Sequence, residues 1–162
     1  MKKWLFLILT LLLMGTIFIL SGQEGEKSYA LSQSVAQRIE KSEASQSVVP
    51  SLFSENFHAN VRKWAHVYLY ALLGVSTALT VLSFAGKVWQ RGAVRGTLIC
   101  IAVSAGICFA YAAGDEFHQS FVPGRACLVT DVFVDAIGFL PGILVVGWFW
   151  YRHQLKSKRR TY

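Results

Sequence analysis

Apolar residues fall into four long runs separated by polar stretches of unequal length. The runs extend over about 4–20, 64–84, 97–113 and 131–151. Within each run the apolar residues are clumped rather than confined to one periodic face, which favours membrane spans over a soluble core. A helix needs roughly 20 apolar residues to cross a bilayer. The pattern therefore predicts an all-α, polytopic membrane protein, a single domain over 1–162 with four transmembrane helices.

The polar stretches carry further expectations. Met1-Lys2-Lys3 followed by an apolar run resembles a signal peptide, but the run exceeds the usual h-region of about 7–15 residues and Leu20-Ser21-Gly22 is a poor cleavage site. A first membrane helix is the better reading. Segment 21–60 is polar and serine-rich. Leu31, Val35 and Ile39 recur at i, i+4, i+8, the spacing of a short amphipathic helix lying on the membrane, with a solvated loop as the alternative. Two sets of small residues in the spans, Ala102/Gly106/Ala110 and Gly138/Gly142, would each allow a neighbouring helix to approach closely. Pro141, between the last two, is expected to bend the fourth helix.

Composition agrees with a membrane chain. Of 162 residues 54% are hydrophobic and 15% charged, whereas a soluble domain is about 25% charged. The net charge of +7 does not point to nucleic acid, because the cations sit in short clusters at the ends of apolar runs. Cys100, Cys108 and Cys127 have neither zinc-ligand spacing nor an even count.

Charge also sets the expected orientation. The N-terminus, the 85–96 loop and the C-terminal tail are basic and free of acids, the mark of cytoplasmic segments. Both termini are then inside, in a multi-pass protein of the cell membrane. Trp4, Trp89, Trp148, Trp150 and Tyr151 would line the inner interface. Segments 21–60 and 114–128 are outside, and every Asp and Glu falls on that side or at its edge.

Candidate chemistry collects at the outer ends of the second, third and fourth spans. Arg62, His66 and Tyr70 share one stripe of the second helix, and Asp131 and Asp135 one stripe of the fourth. The intervening polar loop supplies Asp115, Glu116, His118, Gln119 and Arg125. Each has a bland reading. Lys63, one position off the stripe, is expected to snorkel outward as an anchor. Asp131 reads as the N-cap of the fourth helix, His66 as a buried histidine bridging helices, and Pro123-Gly124 as a tight turn. The functional readings are a ligand site (Arg62, Lys63, His66, Tyr70, Gln119, Arg125, Asp131, Asp135), an acid–base set (Asp115, Glu116, His118), or a divalent-cation site (Asp115, Glu116, Asp131, Asp135). Ionisable groups at such depth are usually kept for function.

Arg62-Lys63-x-Ala65-His66-x3-Tyr70-x3-Gly74 resembles the first block of the VanZ-like family of bacterial membrane proteins. Asp115-Glu116-x-His118-Gln119-x-Phe121-x-Pro123-Gly124-Arg125-x5-Asp131-Val132 resembles its second block, continuing to Gly138 and Gly142. Ser21-x-Gln23 is similar to a short polar motif the family often carries after its first span. Asp135 stands where the family usually has Asn. The resemblance implies an association with teicoplanin-type glycopeptide resistance and supplies no catalytic assignment. Three functions follow as expectations. The first is a non-catalytic module binding an envelope component, such as an anionic lipid or lipid-linked precursor. The second is a membrane-embedded hydrolase or transferase acting on a lipid-linked phosphate, and the third a small transporter. The expected partner is the lipid bilayer, with no nucleic acid and no identified protein partner.

Overall fold

The computed structural model describes residues 2–23, 30, 33–35, 57–86, 92–125 and 128–159. Among the described residues four long helices make up the architecture: α1 (Lys2–Ser21), α2 (Phe57–Phe84), α3 (Ala93–Gln119) and α4 (Val129–Arg159). There is no strand among the described residues. All four helices are long and apolar enough to cross a membrane. Lipid cannot hydrogen-bond a backbone, so segments this apolar satisfy their own N–H and C=O groups as helices.

Several of the expected boundaries shift, three of them by six residues or more. α2 begins at Phe57 rather than near 64, α4 runs on to Arg159, and α3 continues to Gln119 rather than ending at 113. The last shift matters most. Asp115, Glu116, His118 and Gln119 are helical residues on α3, not loop residues, and three of them face inward. Most of the expected amphipathic segment, including Leu31 and Ile39, lies outside the described residues; Val35 within it is helical.

α2 is the central helix, packed on α4 above all and also on α1 and α3. The helices alternate in direction. Trp4 at the start of α1 meets Phe84 at the end of α2 edge-on, with ring centroids 5.7 Å apart. At the opposite end the last turns of α1 and α3 meet the first turns of α2 and α4. One end of the bundle is therefore aromatic and basic, and the other holds the carboxylates. We refer to the latter as the polar end.

Hydrophobic burial gives little drive for association in lipid, so close packing and polar ties carry the contacts between helices. The α2–α4 contact uses glycine for this purpose. A Cβ at Gly138 would lie 2.3 Å from the Val67 carbonyl oxygen, one at Gly74 2.3 Å from that of Phe139, and one at Gly142 2.7 Å from that of Ala71. These backbones touch because no side chain intervenes. The other small-residue set behaves differently: Ala102, Gly106 and Ala110 are exposed, and a Cβ at Gly106 would meet nothing within 4 Å. α3 instead turns Cys100, Ser104, Cys108, Ala112 and Asp115 inward. Around the glycine seam Tyr70, Leu73, Phe139, Ile143 and Ile17 form the packed centre.

α1 is held by polar ties along its length. The Thr10 and Thr80 hydroxyls are 3.0 Å apart, and the Tyr111 hydroxyl donates to the Met14 carbonyl at 2.6 Å.

Candidate functional site at the polar end

The polar end is built from two networks that meet at a cavity. The first locks α1 to α3. Ser21, the last residue of α1, places its hydroxyl against the Asp115 carboxylate. The same oxygen lies 2.8 Å from the Ile17 carbonyl. A hydroxyl has one proton and an ionised carboxylate is the stronger acceptor, so we assign the donation to Asp115. Gln119, one turn further along α3, donates its amide to the other Asp115 oxygen at 3.2 Å. Its own carbonyl oxygen accepts from Arg125 Nη1 at 3.1 Å.

Arg125 is aimed by the turn before it. Val122 to Arg125 closes with an Arg125 N–H to Val122 carbonyl bond of 3.1 Å. Pro123 and Gly124 occupy the central positions, and Gly124 has φ +73°. A type II turn requires positive φ at its third residue, which glycine adopts without strain. The guanidinium is thereby folded back over the end of α1. Nε donates to the Gln23 carbonyl at 3.2 Å and Nη2 to the Leu20 carbonyl at 3.3 Å. The last carbonyls of a helix lack intrahelical partners and carry the negative end of its dipole, so a cation there closes the helix. These described bonds go to neutral acceptors. Burial lowers the Arg125 pKa from its ordinary value, the neighbouring Arg62 charge lowers it further, and Asp115, Glu116 and Asp131 oppose both.

The second network joins α2 and α4. Lys63 Nζ is 3.6 Å from Asp131 Oδ1, and His66 Nδ1 is 3.4 Å from Asp135 Oδ1. Lys63 therefore reaches across to α4 instead of snorkelling outward. Asp131 sits in the first turn of α4 rather than at its N-cap, where its charge still favours the helix dipole. The backbone N–H at the head of α4 is met from elsewhere: Leu128 N–H donates to Glu116 Oε1 at 2.8 Å. Glu116 thus closes the start of α4 from the end of α3. Asp135 is fully inside, 2% exposed, facing the histidine of α2. An Asn there could hydrogen-bond the same imidazole; Asp adds a carboxylate opposite it.

Between the networks lies a cavity of about 130 Å³ lined by Ile17, Leu20, Gln23, Val35, Val61, Arg62, Ala65, His66, Leu69 and Arg125. Among the described residues its walls are mainly aliphatic, and the charged groups that line it are the guanidiniums of Arg62 and Arg125. Arg62, His66 and Arg125 share this space. Asp115, Glu116, Asp131 and Asp135 are each engaged by a neighbour. Tyr70 lies fully buried below His66, with ring centroids 6.2 Å apart. His118 is set apart: it stacks on Phe18 of α1 with centroids 4.2 Å apart, and its Nδ1 is buried without a hydrogen-bond partner.

Among the described residues no three of His, Cys, Asp and Glu converge where a metal ion could be held. The structure also brings in side chains that the sequence reading did not place, Ser21 and Tyr111. Tyr111 follows from the inward face of α3, since Tyr111, Asp115 and Gln119 stand at i, i+4, i+8, whereas Ser21 is brought in by the packing of α1 on α3.

Neither the curated proteins nor the solved structures gave a match. A model of the VanZ/LLP1 family matches residues 6–150, which takes in all four helices, the Arg62–Tyr70 stripe and the polar run through Arg125 to Asp135. With that match covering most of the chain and four helices apt to cross a bilayer, the protein belongs to the VanZ/LLP1 family and is a multi-pass bacterial membrane protein.

Proposed function

We propose that this protein binds an envelope component at the polar end of its bundle, on the outer side of the cell membrane. It does so without transforming that component, and in this way contributes to envelope homeostasis and to glycopeptide (teicoplanin) resistance. The observation that carries the reading is the cavity bounded by Arg62, His66 and Arg125. A charged amphiphile is the natural guest of an aliphatic pocket edged by cations. The outward placement rests on the basic, acid-free segments at the other end of the bundle. The resistance role rests on kinship with the family.

An enzyme that used Asp115, Glu116 and His118 as an acid–base set has less support. Asp115 is tied to Ser21 and Gln119, Glu116 to the head of α4, and His118 stacks on Phe18. Expression in a teicoplanin-susceptible host tests the proposal. The wild-type chain is expected to raise the inhibitory concentration, and Arg62→Gln to remove that protection at unchanged membrane abundance. Full protection by Arg62→Gln, or turnover of a lipid-linked phosphate by the reconstituted protein, would overturn it.

A further inference from the structure

Positive charge gathers at the end of the bundle opposite the carboxylates. Ten of the sixteen Lys and Arg residues fall within 1–20, 85–96 and 136–162, and none of the nine acids does. Four of those acids are at the polar end itself. The other five belong to the segment between Gln23 and Phe57, two residues that lie at that same end. The described ion pairs, Lys63–Asp131 and His66–Asp135, are also there.

At the basic end α4 projects past its neighbour. Gly147 packs against α3, where a Cβ would lie 3.0 Å from the Ile101 side chain and 3.7 Å from that of Thr97. From Thr97, α3 has four residues left before its start at Ala93, whereas α4 runs twelve residues beyond Gly147 to Arg159. At about 1.5 Å per residue the excess is roughly 12 Å of helix. A hydrocarbon core is about 30 Å thick, and the whole of α4 at the same rise is about 46 Å long. Its last turns therefore stand among headgroups.

Those turns expose Arg152 and Lys156, one helical turn apart on a single face, with Trp148 one turn below them. The Arg152 guanidinium lies 5.4 Å from the centre of the Trp148 ring. On α1 the Lys3 ammonium lies 5.7 Å and 5.5 Å from the ring centres of Trp4 and Phe84. Tryptophan favours the membrane interface, so each pairing sets a cation at headgroup depth. The α4 dipole accounts for cations near its own C-terminus. It does not account for Arg95, exposed in the first turn of α3, where the dipole is positive as well.

We propose that the basic end of the bundle is a binding surface for anionic phospholipid headgroups, with Arg152 and Lys156 on the projecting turns of α4 as its main contacts and Lys3 and Arg95 of the same end contributing. Lipid phosphate is the fitting partner because these cations stand at headgroup depth and no acid of their own stretches competes for them. A cluster of about 4–8 cations just beyond a membrane helix attracts anionic lipid in this way. The surface shares no residue with the polar end.

Native mass spectrometry of the full chain, released from vesicles of equal phosphatidylglycerol and phosphatidylcholine with matched chains, tests it. The wild type is expected to retain phosphatidylglycerol about tenfold over phosphatidylcholine, equal to 1.4 kcal/mol. A wash at about 1 M salt, where the Debye length falls to about 3 Å, is expected to remove most of that preference. Arg152→Gln with Lys156→Gln is expected to cut it to about twofold or less. Arg152→Lys with Lys156→Arg keeps both charges and is expected to keep the preference. Both positions are exposed, and an unchanged melting profile separates lost binding from lost folding. Equal retention of the two lipids, a preference that survives high salt, or one unchanged in the Gln pair would overturn the proposal. Displacement by millimolar inorganic phosphate alone would also overturn it, as the mark of a small-anion site. Displacement by a polyglutamate peptide would do the same, as the mark of an acidic protein partner. None of these outcomes bears on binding at the polar end.

Discussion

Gly138→Val is expected to abolish the folded bundle. The ideal Cβ at this position would lie 2.3 Å from the Val67 carbonyl oxygen, with the Val67 carbonyl carbon and Tyr70 Cβ each at 3.1 Å. Two of these three atoms are backbone in the middle of α2, so no rotamer change can relieve the overlap. α4 would have to move away from α2, opening the contact that Gly74 and Gly142 also serve. Since little hydrophobic drive holds helices together in lipid, loss of close packing is not offset by other burial. A loss of more than about 4 kcal/mol is expected, the range reserved for steric failure in a core. Gly106→Val is the control. It has the same chemistry in a span, but a Cβ there would meet nothing within 4 Å. Its effect should stay within about 0.5 kcal/mol. Thermal unfolding in detergent, with membrane abundance in cells, compares the two; a stable Gly138→Val beside an unstable Gly106→Val would mean that the helices pack on other faces.

The second large effect is expected at Arg125, and it separates that residue from Lys63. One guanidinium bridges the Leu20 and Gln23 carbonyls of the α1 end and the Gln119 side chain. Hydrogen bonds from a charged donor contribute about 1.5–3 kcal/mol each when well buried. Arg125 is half-buried, so about 3 kcal/mol for all three together is the expected loss in Arg125→Ala. Arg125→Lys is not a mild change, because an ammonium cannot span three acceptors set around a planar fork. Lys63→Ala removes a long, partly exposed ion pair of 3.6 Å, and pairs open to solvent are worth about 0–1 kcal/mol. The same unfolding measurement ranks the variants. A larger loss for Lys63→Ala than for Arg125→Ala would show that the α2–α4 pair, and not the closure of α1, holds the polar end.

Much of this arrangement was legible in the chain, and the parts that were not have a common cause. Four clumped apolar runs were enough to place four helices, because lipid leaves a spanning backbone no alternative. The Pro123-Gly124 turn and the inward stripe of Arg62, His66 and Tyr70 were equally readable from local rules. The end of α3 was not. Gly114-Asp115-Glu116 reads as the start of a polar loop, and it stays helical because partners distant in sequence satisfy it: Ser21 from α1 and the Leu128 N–H from the head of α4. Lys63 shows the same limit. On a helical wheel it lies off the stripe, and only the position of α4 puts Asp131 within its reach. The two small-residue sets have similar spacing, yet Gly138 and Gly142 meet a helix while Ala102, Gly106 and Ala110 do not. Spacing marks a face as able to be approached; the rest of the bundle decides whether it is.

Envelope binding and the resistance role both depend on the polar end lying at the outer surface. That placement is measured directly by labelling intact cells with a membrane-impermeant maleimide. Cys100 and Cys108 are buried, so replacing Cys127 by Ser leaves a quiet background. Ser120→Cys places a thiol at an exposed position just past the end of α3, and Leu155→Cys places one near the far end of α4. The account predicts that Ser120→Cys reacts in intact cells and Leu155→Cys only after lysis; reaction of Leu155→Cys in intact cells with Ser120→Cys protected until lysis would contradict it.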